Sequence, residues 1–274
     1  MIAQKNAKKL REWVDDEMIR GRYIFTKDDV KNINLPISDQ AVRNSLNRLI
    51  ERGVIMSPWQ NFYVTVPTEY KLRCVVPPSF YIDRLMQFLG RDYYVSFLTA
   101  AAFNGASHQK AMVFQVTTNG GPIRSGVKNG TKLEFTLRQN LPLEFTRQIK
   151  TQTGYMIVSG PELTALDVVA EENKIGGLSR AAEVLLELCE NTSWDADKLS
   201  LINYFSSATI QRLGYLLERI EFREQADSLY ALFQQAGKIM RKIPLKQTVA
   251  IHEDMPTDKR WKIIENYKLD IDEI

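Results

Sequence analysis

Histidine and cysteine are scarce in this chain, whose 274 residues include two of each. Cys74 and Cys189 cannot build a disulfide framework, and their spacing is not that of metal ligands. His108 and His252 lack a ligand partner at helical spacing, so no metal site can be assembled around them, and His108 reads as a polar loop residue. No metal and no cofactor are expected. The longest apolar stretch, around Tyr93 to Phe103, falls well short of the ~20 residues that span a bilayer, so no membrane partner is expected. The start Met1-Ile2-Ala3-Gln4-Lys5 lacks the apolar core of a signal peptide, which points to a cytoplasmic protein. A phosphate-binding loop and a dinucleotide fingerprint are also missing. Gly120-Gly121-Pro122 and Gly176-Gly177 read as turn glycines. Asp167 with Glu172 and Lys174 has the residue types of a metal-dependent nuclease. Such a centre needs the Glu and Lys on a strand well after the Asp, whereas here all three fall on one helix or its end, so a solvated helix face is expected. With no nucleophile, base and orienting group to combine, an enzyme is disfavoured.

Charge is nearly balanced, at +3 overall, but it is unevenly placed. Residues 1–73 hold 13 Lys and Arg against 9 Asp and Glu, while the remainder is near neutral. A mildly basic N-terminal unit on a neutral body suits site-specific contact with nucleic acid better than bulk attraction.

The segment Ser38-Asp39-Gln40-Ala41-Val42-Arg43-Asn44-Ser45-Leu46-Asn47-Arg48-Leu49-Ile50 supplies the reason for that contact. Val42, Leu46, Leu49 and Ile50 recur at i, i+4, i+7 and i+8, which predicts an amphipathic helix. Its other face is written in Gln40, Arg43, Asn44, Asn47 and Arg48, side chains able to pair with guanine and adenine edges or with phosphates. Ser38 suits the N-cap and Gly53 the left-handed residue that ends the helix. Upstream, Thr26-Lys27-Asp28-Asp29 predicts a short helix with a variant capping box, carrying Val30 and Ile33 inward. Pro36 disfavours helix at Leu35, which predicts a turn over Asn34-Leu35-Pro36-Ile37. Ala7, Leu10, Val14 and Met18 mark a preceding helix. After Gly53, Val54-Ile55-Met56 and Phe62–Val66 read as strands joined by Ser57-Pro58-Trp59-Gln60-Asn61. The pattern predicts a winged helix-turn-helix that binds double-stranded DNA through Ser38, Gln40, Arg43, Asn44, Asn47 and Arg48, with Gln60 and Asn61 at the wing tip reaching phosphates. Trp59 is expected either to pack beneath the wing or to lie along the sugar backbone.

At Pro77-Pro78 the pattern changes, and the boundary divides a DNA-binding domain at 1–76 from a second domain at 77–274, each with its own core. A helix is predicted from Ser79 to about Leu89, and a buried helix from Tyr93 to Ala102. Short β-type runs at Met112–Val116, Lys132–Leu137 and Tyr155–Val158 alternate with Gly and Asn turns, including Lys128-Asn129-Gly130, and predict a small antiparallel sheet. Helices follow from Pro161, from Arg180 to Glu190 capped by Ser179, from Asp195 to Phe205, from Gln211 to Ile220 and from Glu224 to Ala236. The fold class is therefore α+β, a winged helix-turn-helix followed by a mixed domain with a C-terminal helical bundle. Lys238, Arg241, Lys242 and Lys246 form a basic cluster able to meet an acidic partner or RNA.

Four strings fall in order along this second domain: Tyr93-Tyr94-Val95-Ser96-Phe97-Leu98, Ser159-Gly160-Pro161-Glu162-Leu163-Thr164, Gly176-Gly177-Leu178-Ser179-Arg180 and Gln211-Arg212-Leu213-Gly214-Tyr215. Together they make the chain resemble the AbiEi antitoxins of abortive-infection toxin–antitoxin systems. The resemblance runs from the wing to Trp261-Lys262-Ile263-Ile264-Glu265, departing at Phe103-Asn104-Gly105-Ala106, where a His before the Gly is expected. It implies an N-terminal winged helix that binds inverted repeats in the protein's own promoter. It also implies a second domain that neutralises a cognate nucleotidyltransferase-like toxin, directly or without a stable complex. Gln211, Arg212 and Tyr215 are the expected neutralisation residues, with Arg212 turned outward. The alternative is a ligand-responsive winged-helix transcriptional regulator, which a large apolar pocket in the second domain would favour.

Overall fold

In the computed structural model, residues 2–33, 38–71, 75–106, 113–128 and 130–270 are described. The expected turn at 34–37, Cys74, His108, Met112 and Asn129 lie outside them. The N-terminal unit runs α1 (Ile2–Ile19), β1 (Ile24–Thr26), α2 (Lys27–Asn32), α3 (Asp39–Glu51), β2 (Ile55–Trp59) and β3 (Phe62–Thr65). Leu10, Val14, Val30, Val42, Leu46 and Leu49 are buried together between the helices. The capping box at Thr26 is closed from both sides: Asp29 N donates to Thr26 Oγ1 at 3.2 Å, and Thr26 N donates to Asp29 Oδ2 at 2.7 Å. Ser38 Oγ accepts from Ala41 N at 3.3 Å, and α3 stops at Gly53, whose φ is 63°. Ile50 departs from the expected stripe and is 36% exposed. Eight residues past Val42, it is rotated about 80° from the centre of the buried face.

The three strands form an antiparallel sheet in the order β1-β3-β2. Successive side chains point to opposite sides of a strand. Phe25, Ile55 and Tyr63 face the helices, while Ile24, Met56, Phe62 and Val64 face away. Both faces are apolar because both are covered. Pro58 falls where the β2–β3 register shifts between Met56 and Trp59, on an edge strand that tolerates a missing N–H.

Past Pro77 the single helix expected from Ser79 to Leu89 is a 3-10 turn at Pro78–Phe80 followed by α4 (Ile82–Phe88). Then come β4 (Tyr93–Val95), α5 (Phe97–Phe103), β5 (Val113–Thr118), β6 (Gly126–Lys128), β7 (Thr131–Leu137), β8 (Thr146–Thr151) and β9 (Gly154–Ser159). Helices α6 (Pro161–Ala170), α7 (Glu172–Ile175), α8 (Leu178–Leu188), α9 (Leu199–Asn203), α10 (Ser207–Arg219) and α11 (Arg223–Gln235) follow, and β10 (Ile243–Pro244) and β11 (Ile263–Ile264) close the chain. The chain is thus mixed α+β. Its larger sheet has six strands in the order β6-β7-β5-β4-β9-β8, with β5 parallel to β7 and β4 parallel to β9. The antiparallel sheet expected from the sequence is therefore a mixed one. Tyr93–Val95 is a strand and not the start of a helix. All three of its residues are buried, so no alternation marks it.

One face of this sheet carries Tyr94 against α5, α6 and the later helices. The other, with Tyr93, Val95, Val116, Leu133 and Val158, packs with α4 and with Met56, Phe62 and Val64 of the N-terminal sheet. One cluster stays within the N-terminal unit and one within the second, and a third runs across Pro77-Pro78 as a layer shared by both. Aromatic pairs cross it: Phe62 with Phe88 at 5.5 Å, Tyr23 with Phe80 at 5.4 Å and Trp59 with Phe135 at 6.2 Å between ring centroids. At the departure from the family string, Asn104 is buried and donates to Ser159 O at 2.9 Å and Thr164 Oγ1 at 3.0 Å, tying α5 to β9 and α6. Ser179 does not cap α8; Gly177 holds that position, and Ser179 Oγ accepts from Asp270 N at 3.0 Å.

Candidate nucleic-acid interface

Helix α3 separates its residues by chemistry. Val42, Ser45, Leu46 and Leu49 are buried, while Gln40, Arg43, Asn44, Asn47 and Arg48 are exposed on the outer side. Gln40 Nε2 donates to Asn44 Oδ1 at 3.0 Å, which holds two amide side chains one turn apart in a fixed arrangement. Ser38, also exposed, spends its Oγ on the cap. Arg43 lies close enough to Tyr63 for its charge to favour the phenolate, against the stronger upward push of burial. The structure therefore brings the predicted α3 residues together on one solvent-facing surface, as the sequence period requires.

Gln60 and Asn61 are exposed at the β2–β3 turn. Asn61 takes a left-handed φ of 62°, and its carbonyl accepts from Lys27 N at 2.9 Å, which pins the turn to the start of α2. Ser57 Oγ donates to the carbonyls of Trp59 and Phe62 at 2.8 and 3.1 Å and narrows the hairpin. Of the two positions open to Trp59, the inner one is occupied: its ring meets Phe135 of β7 edge-on. Sequence reasoning named Trp59 without its partner, because a contact across 76 residues leaves no local pattern.

The segment expected to serve neutralisation is mostly interior. Gln211 is 1%, Arg212 9% and Tyr215 4% exposed. Gln211 Nε2 donates to the carbonyls of Arg241 and Trp261 at 2.8 and 2.6 Å. Arg212 Nε donates to Leu245 O at 2.9 Å and its Nη2 to Pro244 O at 3.0 Å. The outward orientation expected for Arg212 is corrected: residues past α11 fold back over α10 and cover it, and burial lowers the basicity of its guanidinium. Gly214 allows this strap to close. A Cβ there would lie 2.1 Å from the Trp261 ring, which is fully buried. A glycine inside a helical pattern was the signal available for that close approach. Tyr215 borders an open hollow of about 410 Å³ with Arg219, Glu265, Tyr267, Lys268 and Leu269.

The basic cluster is divided. Lys238 Nζ donates to Phe205 O at 2.9 Å, and the Lys246 ammonium sits 4.4 Å from the centre of the Tyr267 ring. Arg241 and Lys242 are exposed. Asp167 is not on a solvated face. It is fully buried and paired at 2.8 Å with Arg138, whose Nη1 also donates to Tyr94 Oη at 2.8 Å. Lys174 turns to Glu171 and Thr136, so no acid–acid–lysine set forms. Among the described residues no group of three or more His, Cys, Asp or Glu is placed to hold a metal ion. No helix among them is long and apolar enough to cross a membrane. The hollow lined by Leu98, Ala101, Ala106 and Val184 in the second unit has only about 10 Å³, far below the size of a ligand pocket.

The fold recurs in a solved structure. The crystal structure of the RV2827C protein from Mycobacterium tuberculosis is similar at a TM-score of 0.63, over 95% of this chain and 91% of that one, with 12% sequence identity. A comparison with curated protein sequences gives no significant match. The second unit defines the class, that of antitoxins: residues 94–219, from β4 to the end of α10, match the family profile described as the AbiEi antitoxin C-terminal domain. That stretch of the chain is similar to the AbiEi antitoxin C-terminal domain, as its ordered strings imply.

Proposed function

We propose that this protein is a bifunctional antitoxin of the cytoplasm, active in phage defence. Its residues 1–76 act as a winged helix that represses the protein's own operon by binding inverted-repeat promoter DNA. Its residues 77–274 counteract a nucleotidyltransferase-like toxin. The observation that carries the DNA-binding half is the exposed row Gln40, Arg43, Asn44, Asn47 and Arg48 on a helix whose other side is buried. Arg pairs with guanine and Asn or Gln with adenine in the major groove. Gln60 and Asn61 at the hairpin turn supply phosphate contacts that position the helix without specifying sequence. The antitoxin half rests on the family of residues 94–219. Because Gln211 and Arg212 are buried, they act on neutralisation by holding the strap, and Tyr215 acts at the hollow it borders.

Fluorescence anisotropy with duplexes from the region upstream of the reading frame tests the first half. Arg43→Ala should cost ~1–3 kcal/mol and relax preference at one base pair. Binding that ignores joint replacement of Gln40, Arg43, Asn44 and Asn47 would remove α3 from the interface. Co-expression with the adjacent toxin gene tests the second half by cell growth.

A further inference from the structure

We infer that the groove between α1 and the C-terminal end of α3 is a binding site for a small phosphate ester. It encloses about 290 Å³, and its polar lining is Arg11, Asp15, Arg52, Thr65 and Lys71. The guanidinium groups of Arg11 and Arg52 share the groove with the Asp15 carboxylate. Arg11 gives its Nε to Asp15 at 2.7 Å. Arg52 is not needed as a helix cap side chain, since the backbone already closes α3: Gly53 N donates to Ile50 O and Val54 N to Leu49 O, both at 2.9 Å.

The second observation is independent of charge. Thr65 is 2% exposed, and its Oγ1 is buried with no hydrogen-bond partner. Such a hydroxyl is costly to leave unpaired. Along β3 its side chain shares the side of Tyr63, which packs on the helices, and is opposed to Val64, which packs on the second unit. Its hydroxyl therefore belongs to the α1 side, on the floor of the groove. A phosphate oxygen there accepts from Thr65 while the guanidinium groups neutralise its charge.

Met18 and Val54 add apolar wall on the α1 side. A bare inorganic ion leaves that apolar surface uncovered, whereas the organic part of an ester covers it. The volume sits at the lower limit of small-molecule pockets, ~300 Å³, which admits a sugar phosphate or mononucleotide and excludes a dinucleotide. Arg52 lies about 18 Å along α3 from Gln40 but only about 6 Å from Arg48, so the occupant borders the C-terminal end of the polar face.

The test is calorimetric titration and thermal melting of the full chain with ribose 5-phosphate, adenosine monophosphate and inorganic phosphate, against sodium chloride at matched ionic strength. At least one ester should raise Tm and bind more tightly than inorganic phosphate. Arg52→Ala should weaken it at least about tenfold. Thr65→Val keeps the strand and removes the orphan hydroxyl, so its Tm without ligand should be equal or higher while its affinity for the ester falls. Failure of both esters to bind overturns the inference. So do equal shifts in all three proteins, a shift reproduced by salt, or a preference for inorganic phosphate. None of these measurements involves DNA or toxin, so their failure leaves the proposed antitoxin function standing.

Discussion

Gly214 is the residue whose side chain matters most by being absent. Alanine in the middle of a helix is normally favoured over glycine by about 1 kcal/mol. Here the added Cβ would meet three atoms of the Trp261 ring at 2.1–2.3 Å, and the ring is enclosed with nowhere to retreat. The clash wins. Gly214→Ala should destabilise by about 1–3 kcal/mol, the usual cost of overpacking, and a higher Tm would show that the ring can move. Cys189 gives a second expectation. Its thiol is 1% exposed, and burial pushes its pKa up to about 12, with Thr192 pulling weakly the other way. At pH 8 only about one molecule in ten thousand carries the reactive thiolate. Peptide mapping after treatment with a thiol reagent should find Cys189 unmodified in the native protein and modified after unfolding in denaturant. Native modification would mean that the helices around it open readily.

Among the elements, α3 was legible because one period governs all of it. Buried residues three and four apart, a Ser cap and a Gly stop agree with one another, and only Ile50 strays. Helix α10 misled for the opposite reason. Residues 209–217 are buried all round, so Gln211 and Arg212 look like surface residues in the sequence and become interior ones under the strap. The strap itself has almost no regular structure and so no period to read. Likewise β4 is too short and too buried to alternate, and the parallel pairing of β5 with β7 depends on contacts that no local pattern encodes. The same geometry predicts what Arg212→Ala does. Removing the guanidinium leaves the carbonyls of Pro244 and Leu245 without their donor, at a cost of about 1–3 kcal/mol. Limited proteolysis should then cut first within 238–262, before the helices. Unchanged cleavage together with lost toxin suppression would return Arg212 to direct contact.

For the whole molecule, the N-terminal sheet is the middle layer of a stack, with helices on one face and the six-stranded sheet with α4 on the other. A chain beginning at residue 77 would uncover Phe80, Leu85, Met86 and Leu133. We expect that fragment to aggregate or melt at markedly lower temperature, and the intact chain to unfold in one transition with coincident near- and far-ultraviolet signals. A fragment as stable as the parent would show that the shared layer contributes little. The layer also bears on inheritance. A DNA reader joined to its body by a loose linker can be exchanged between lineages as a cassette. Here the N-terminal unit brings Met56, Trp59, Phe62 and Val64 to a body shaped by Phe88 and Phe135, so a transplanted unit fits only if those positions travel with it. On the proposed function, change of operator falls to the exposed row on α3, where a substitution touches no shared packing; such a reading head would drift quickly while its mounting stays fixed.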